Sequence, residues 1–249
     1  MRGAALVTGA GRRIGRALAL RIAEAGFDVA IHYHADGADA EATAADIAAL
    51  GRRAVVLKAE LADPAAPAAL VGAAAEALGP LSLLINNASR FVDDRIQGLT
   101  REGWDAHMAV NLAAPIFLAQ AFAAQAPQEG DALIINLTDQ RVWKPNPQFF
   151  SYSLSKAALW TATRTLAQAL APRVRVNAIG PGPTLPSIHQ TPADFDAEAH
   201  SVPLKRRSSP QDVAHALRYL IDARQVTGQM IAVDGGQHLA WKTPDILHD

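Results

Sequence analysis

Between the apolar run Ala4 to Thr8 and the amphipathic stretch Ile14 to Ala25 lies TGAGRRIG, Thr8 to Gly15, and this glycine turn limits the possible folds more than any other feature. A buried strand that passes through a tight turn directly into a helix opens a parallel βαβ unit, because parallel strands need a crossover. Gly9 permits the turn, Gly11 lets a diphosphate approach the backbone, and Gly15 lets the helix sit close to the sheet. The helix start adds free N–H groups and the positive end of its dipole. Gly9, Gly11, Arg12, Arg13, Ile14 and Gly15 are therefore the expected cradle of a dinucleotide cofactor.

The alternation continues along the chain. Asp28 to His32 reads as a strand, Ala38 to Leu50 as a helix ended by Gly51, Ala54 to Lys58 as a strand, and Pro64 to Leu78 as a helix. Leu81 to Ile85 is a fourth strand that runs into Asn86-Asn87-Ala88-Ser89, and a helix follows over about Gly103 to Ala126. The apolar run at Leu133 leads through a polar loop to a helix opened by Ser151; Val174 to Ile179 is the sixth strand. Pro210 starts another helix at its first position, running to about Ile221, and Met230 to Val233 is the last strand, followed by Asp234-Gly235-Gly236. Strands and helices at this spacing give an α/β fold, a doubly wound parallel sheet covered on both faces. No linker divides the 249 residues, so a single domain over 1–249 is expected. Residues 182–209 form the expected substrate loop, because Ser187 to Ser209 scatters prolines, histidines and acids without a period.

Composition narrows the partners. Acidic and basic side chains nearly cancel, at a formal charge of −1, and no Lys/Arg run could track a phosphate backbone, so nucleic acid is not expected and a small-molecule substrate is. Cysteine is absent, which removes disulfides, thiolate nucleophiles and Cys-based metal sites. No uninterrupted apolar run reaches membrane-spanning length, and glycines break the N-terminal segment where a signal peptide needs a continuous core; a cytoplasmic protein without membrane contact is expected.

The chemistry concentrates between Leu133 and Trp160. Tyr152 and Lys156 are four apart on a helix and share a face, and an ammonium beside a phenol favours the phenolate, so Tyr152 is expected to exchange a proton well below its free pKa. Asp139 lies just past the preceding strand, at the sheet edge where open α/β folds put ligands. Pro115 lacks the N–H that would bond the carbonyl of Asn111, which leaves that oxygen free to hold a water or a lysine as a proton relay, or else merely marks a kink. At the end of the second strand, where an acid would bind the ribose hydroxyls and repel a 2′-phosphate, the chain has His32-Tyr33-His34; with Arg12 and Arg13 nearby, NADPH is the expected cofactor, although Asp36 opposes it. The two histidines lack a third ligand, so a loop is expected there rather than a metal site.

With TGAGRRIG, NNAS, Asn111, Tyr152-Ser153-Leu154-Ser155-Lys156, PGPT and VDGG in order, the chain resembles the short-chain dehydrogenase/reductase family from end to end. The resemblance implies a seven-stranded Rossmann sheet, hydride transfer from a nicotinamide, a homotetramer, and a catalytic set of Asn111, Tyr152 and Lys156 with Asp139 at the usual serine position. It also implies cofactor contacts from His32, Tyr33, Asn87, Ala88, Ser89, Lys156, Pro181 and Gly182. Within the family, the Asp, the Arg before Ile-Gly, the HYH and the Phe after NNAS are similar to pteridine reductases, including bacterial dihydromonapterin reductases. That similarity implies a pterin surrounded by Arg13, Ser89, Phe91, Asp139 and Tyr152. Arg90, where a small residue is usual, and Ala35, where a basic one often stands, depart from the pattern. An ionised Asp only accepts hydrogen bonds and repels a developing oxyanion, which disfavours carbonyl reduction, whereas a pterin edge offers N–H donors. The expected activity is thus NADPH-dependent reduction of a pterin-type C=N bond, with a carbonyl or alcohol oxidoreductase second and a non-catalytic nucleotide-binding protein third.

Overall fold

The computed structural model describes residues 3–35, 37–186 and 190–241; Asp36 and positions 187–189 of the expected substrate loop lie outside the described residues. The strands are β1 (Ala4–Val7), β2 (Asp28–Tyr33), β3 (Ala54–Lys58), β4 (Leu81–Asn86), β5 (Ala132–Leu137), β6 (Val174–Pro181) and β7 (Met230–Val233). They form one seven-stranded sheet in the order β3-β2-β1-β4-β5-β6-β7, every pair parallel. The order reverses between β1 and β4, so the crevice past their carboxyl ends is the switch point where ligands bind in such sheets. The helices are α1 (Arg13–Glu24), α2 (Ala38–Ala49), α3 (Ala66–Leu78), α4 (Arg101–Met108), α5 (Ala114–Gln125), α6 (Phe150–Leu170), α7 (Pro192–Ser201) and α8 (Pro210–Asp222).

Both faces of the sheet are buried, which is why the central strands read as continuous apolar runs. Leu18 and Ile22 of α1 meet Val213 and Leu217 of α8 over one face; Leu70 of α3 and Leu118 and Phe122 of α5 cover the other. Phe122 is fully buried, and its truncation to Ala would cost about 3–5 kcal/mol from lost transfer energy and the cavity left behind. The segment Arg101–Gln125 is long and apolar enough to cross a membrane, but Leu118, Ala119 and Phe122 turn inward against the sheet.

Local departures from the expected pattern have physical causes. The helix expected over Gly103 to Ala126 is divided by a π turn, Ala109–Ala113, that absorbs the donor Pro115 lacks and buries Asn111 completely. Part of the expected loop 182–209 is helical: α7 begins with a capping box in which Thr191 and Asp194 satisfy each other's backbone, with Pro192 at the first position. Only Phe195 and Ala199 are buried on it, too few to write a period into the sequence.

Candidate active site

The cofactor end is built largely from backbone. Gly9 has φ +63, and a Cβ on Gly15 would lie 2.0 Å from the Gly9 carbonyl oxygen, so neither position tolerates a side chain without backbone movement. Asn87 braces the turn, its Nδ2 donating to the carbonyls of Thr8 (2.9 Å) and Gly9 (3.0 Å), while Thr8 Oγ1 accepts from the N–H groups of Asn87 and Ala88. His32 is buried beneath it: Nδ1 accepts from Gly9 N–H (3.1 Å), so Nε2 carries the ring proton and donates to the Ala59 carbonyl (3.1 Å). Burial holds His32 below its usual pKa, and both its nitrogens are engaged by the scaffold rather than turned toward a ligand. His34 pairs with Glu60 at 2.6 Å. Among the described residues no side chain caps the N-terminus of α1, which leaves its first-turn N–H groups available to an anion.

The two arginines of the turn diverge. Arg13, at φ +54, donates through Nη2 to the carbonyls of Leu185 (3.5 Å) and Pro186 (3.0 Å), across the crevice toward the expected substrate segment. Arg12 is exposed at the N-cap of α1. Arg13 is thus engaged across the crevice, while Arg12 stays at the turn itself.

The catalytic end gathers past β5 and at the start of α6. Asp139 caps the short turn after β5, its Oδ1 accepting from Arg141 N–H (2.9 Å), while its Oδ2 accepts from the Tyr152 hydroxyl (2.8 Å). Capping and contact with the tyrosine coexist because a carboxylate has two acceptor oxygens. Lys156 Nζ donates to the Leu137 carbonyl (2.7 Å) and lies 5.8 Å from the Tyr152 ring centre. Burial lowers Lys156 to about 8, against the charge of Asp139, which raises it.

Here the sequence expectation for Tyr152 is corrected. Burial first, then the charge of Asp139 and the hydrogen bond to it, push the phenol well above its usual value, against the lowering effect of Arg141. Burial also pushes the Asp139 carboxyl above its usual range, against the backbone bond and charge of Arg141. The pair therefore holds a proton on Tyr152 at neutral pH, the state a proton donor needs. Among the described residues Lys156 Nζ bonds the Leu137 carbonyl and not that of Asn111. Asn111 instead works through its side chain: Oδ1 accepts from Ser89 Oγ (3.2 Å) and Arg90 N–H (2.8 Å), and Nδ2 donates to the Arg90 carbonyl (3.0 Å) and Ser155 Oγ (3.1 Å).

A cleft of about 600 Å³ joins the two ends and is lined by Arg13, Ile14, Asn87, Ser89, Phe91, Asp139, Tyr152, Lys156, Pro181 and Gly182, all expected from the sequence. It is also lined by Gln140, Arg141 and Phe149, which sequence reasoning missed. Phe91 stacks on Phe149 at 4.2 Å and 9°, meets the edge of Tyr152 at 4.7 Å and 80°, and Arg141 lies 4.9 Å over the Phe149 ring. The aromatic pair Phe149-Phe150 just before the Tyr152 helix was the available signal. Gln140 is buried and its Oε1 has no partner among the described residues.

Comparison with known proteins bears on this geometry. The family model described as "Enoyl-(Acyl carrier protein) reductase" matches residues 9–238. A protein from Picea abies named short-chain type dehydrogenase/reductase is 34% identical over 248 residues, covering 94% of this chain and 91% of its own. The 3-oxoacyl-[acyl-carrier-protein] reductase FabG of Staphylococcus epidermidis is 32% identical over 244 residues, covering 96% and 100%. Among solved structures, the FolM alternative dihydrofolate reductase 1 of Brucella canis, complexed with NADP, superposes with a TM-score of 0.94 at 50% identity, covering 98% of this chain and 97% of that one.

Proposed function

Because the chain belongs to the short-chain dehydrogenase/reductase family, we propose that it is an NADPH-dependent oxidoreductase that reduces a pterin-type C=N bond, dihydropterin to tetrahydropterin. The observation that carries this reading is the Tyr152 hydroxyl donating at 2.8 Å to a carboxylate, Asp139, inside the cleft. A carbonyl substrate needs donors around its oxygen, and a carboxylate there opposes the charge that develops. A pteridine edge offers ring N–H and amino groups, for which Asp139 is the matching acceptor. The 50% identity to a dihydrofolate reductase crystallised with NADP supports both the substrate class and the cofactor.

The residues fit the cofactor. A Cβ on Gly11 would stand 3.0 Å from Ala40 N, so only glycine leaves the floor of the turn this close, and the uncapped start of α1 faces a diphosphate with free N–H groups. Gly9, Gly11, Ile14 and Gly15 would form that floor, Arg12 would take the 2′-phosphate, and Asn87, Ala88, Lys156, Pro181 and Gly182 would hold the nicotinamide end. NADPH, when bound, supplies a hydride to the carbon of the C=N bond. Tyr152 would then give its proton to the nitrogen, and the Asp139 carboxylate, its proton affinity raised by burial, would take a proton from solvent and pass it to the phenolate. Lys156 at about 8 is largely an ammonium at neutral pH and stabilises the phenolate while it lasts. Phe91 and Ser89 border the pterin, with Arg13 holding the substrate segment of 182–209 through Leu185 and Pro186.

The rival is carbonyl reduction, favoured by the FabG relatives. Following NADPH absorbance with a dihydropterin, a folate and simple ketones side by side separates them. Turnover of the dihydropterin at far higher kcat/KM is expected, and turnover of ketones alone would overturn the reading. The homotetramer that the family resemblance implies belongs to the same proposal and is checked by light scattering in solution.

A further inference from the structure

Behind the Tyr152 helix lies a row of buried His107 and Ser151 and half-buried Asp94 whose directions can be read off its ends. Val92 N–H donates to His107 Nε2 (3.3 Å), so the ring proton sits on Nδ1 and is donated to Ser151 Oγ (2.6 Å). Ser151 in turn donates to Asp94 Oδ2. Ser, His and Asp in contact invite a nucleophile reading, but the serine stands in the middle and gives its proton to the carboxylate, whereas an activated serine must give it to the histidine. Burial keeps His107 below its usual pKa, with the charge of Asp94 raising it and that of Arg90 lowering it, so the neutral ring is favoured.

The row ends on a helix N-terminus. α6 has no side-chain cap of its own, and its N-cap residue Phe149 is left-handed at φ 51. The donors of its first turn are met from another segment: Phe149 N–H by Asp93 Oδ1 (3.3 Å), Phe150 N–H by the Asp94 carbonyl (3.2 Å), and Ser151 N–H by Asp94 Oδ1 (3.0 Å). That segment begins with Phe91, and the helix turn it grips carries Tyr152, whose ring lies 4.7 Å from Phe91.

We infer that Asp94, fixed by Ser151 and His107, is a positioning residue that holds Phe91 and Tyr152 against each other on the wall of the cleft and so fixes how both face the substrate. The inference rests on the reading of Tyr152 as proton donor and Phe91 as substrate wall. None of the row touches the cofactor cradle, and misplacing reacting groups by about 1 Å can cost up to ~100-fold in rate. Asp94→Asn keeps an acceptor for Ser151 N–H but turns a donor toward the Ser151 hydroxyl; Asp94→Ala removes both bonds.

The test is steady-state kinetics of wild type, Asp94→Asn, Asp94→Ala and Ser151→Ala on the dihydropterin, or on whichever substrate of the screen the wild type reduces, with NADPH affinity and melting temperature measured alongside. Folded Asp94→Asn and Ser151→Ala should show KM raised and kcat lowered, each about tenfold, with NADPH Kd within about twofold of wild type; Asp94→Ala should be worse. Ser151→Ala keeps the test open if the Asp94 variants do not fold. Folded variants with lower melting temperatures and wild-type kcat and KM would overturn the positioning role. A wild type inert toward dihydropterins would overturn the proposed function instead, and leave the kinetic comparison readable on the ketone.

Discussion

The starts of α1 and α6 face the same cleft and are finished in opposite ways. At α1 no side chain among the described residues meets the first-turn N–H groups, and the neighbouring turn is pinned by neutral partners, Asn87, Thr8 and an uncharged His32. At α6 the N–H groups are met in trans by the carboxylates of Asp93 and Asp94, and the residues just beyond are Tyr152 and Lys156, each with a shifted pKa. One terminus is left open for an anionic cofactor; the other is closed so that its side chains stay where they are put. Diphosphate binding and proton transfer are therefore assigned to separate helix ends, and apart from Lys156, which the proposal places beside the cofactor as well, substitutions at one should leave the other nearly untouched.

The largest effect should come from Tyr152→Phe. Turnover should fall by about three orders of magnitude, within the range for a lost general acid, while NADPH binding followed by fluorescence titration stays close to wild type. A cofactor affinity that fell in step with turnover would break the separation of the two ends.

Lys156→Met should also lose most turnover, yet raise stability. The folded protein holds Lys156 at about 8 against an ordinary 10.5, so the unfolded chain binds more protons between those values and the buried ammonium penalises folding in full below about pH 8. Removing it should add up to about 3 kcal/mol at pH 7, less about 1 kcal/mol for the donor lost to Leu137. The gain should fade as pH rises toward 10.5, which denaturant titrations at pH 7 and pH 10 would reveal.

At the open end, Arg12→Ala should weaken NADPH by about 1–3 kcal/mol and barely alter NADH, the scale of a lost charge-assisted bond. Arg13→Ala should instead act on the KM of the substrate, since its guanidinium reaches Leu185 and Pro186. Calorimetric titration of both variants with both cofactors separates the arginines. Smallest is the effect of His32. Its pKa is depressed by burial, so the stability it contributes is present above pH 6.5 and is lost as pH falls through the folded value, when Nδ1 can no longer accept from Gly9. NADPH affinity should therefore decline on acidification, by about 1 kcal/mol, in wild type and not in His32→Asn.

Much of this was legible along the chain because it depends on local rules. The sheet follows from alternation and glycine turns, β3 and β7 have the bounds read from the sequence, and the Tyr152–Lys156 pairing follows from helical spacing. What stayed hidden depends on residues far apart meeting in space. Nothing near Tyr152 announces that Asp139 would raise its pKa and outweigh Lys156, and His107 and Asp94 reach Ser151 across 44 and 57 residues. The divergence of Arg12 and Arg13 follows from a left-handed φ at a non-glycine residue, which no propensity suggests. α7 was missed for the reverse reason: its capping box is local and readable, but its apolar face is too short to register as a period.

The central claim is that Asp139 selects a pterin over a carbonyl, and parallel kinetics of Asp139→Ser and Asp139→Asn on a dihydropterin and an activated ketone test it most directly. Asp139→Ser should lower dihydropterin reduction by about two orders of magnitude and leave ketone reduction unharmed or improved, because it restores a hydroxyl donor and removes a charge beside the developing oxyanion. Asp139→Asn keeps an acceptor for Arg141 N–H but should still lose dihydropterin activity, since an amide cannot return a proton to Tyr152. Full dihydropterin activity in Asp139→Asn would reduce the residue to a turn cap, and a wild type active on the ketone alone would contradict the account.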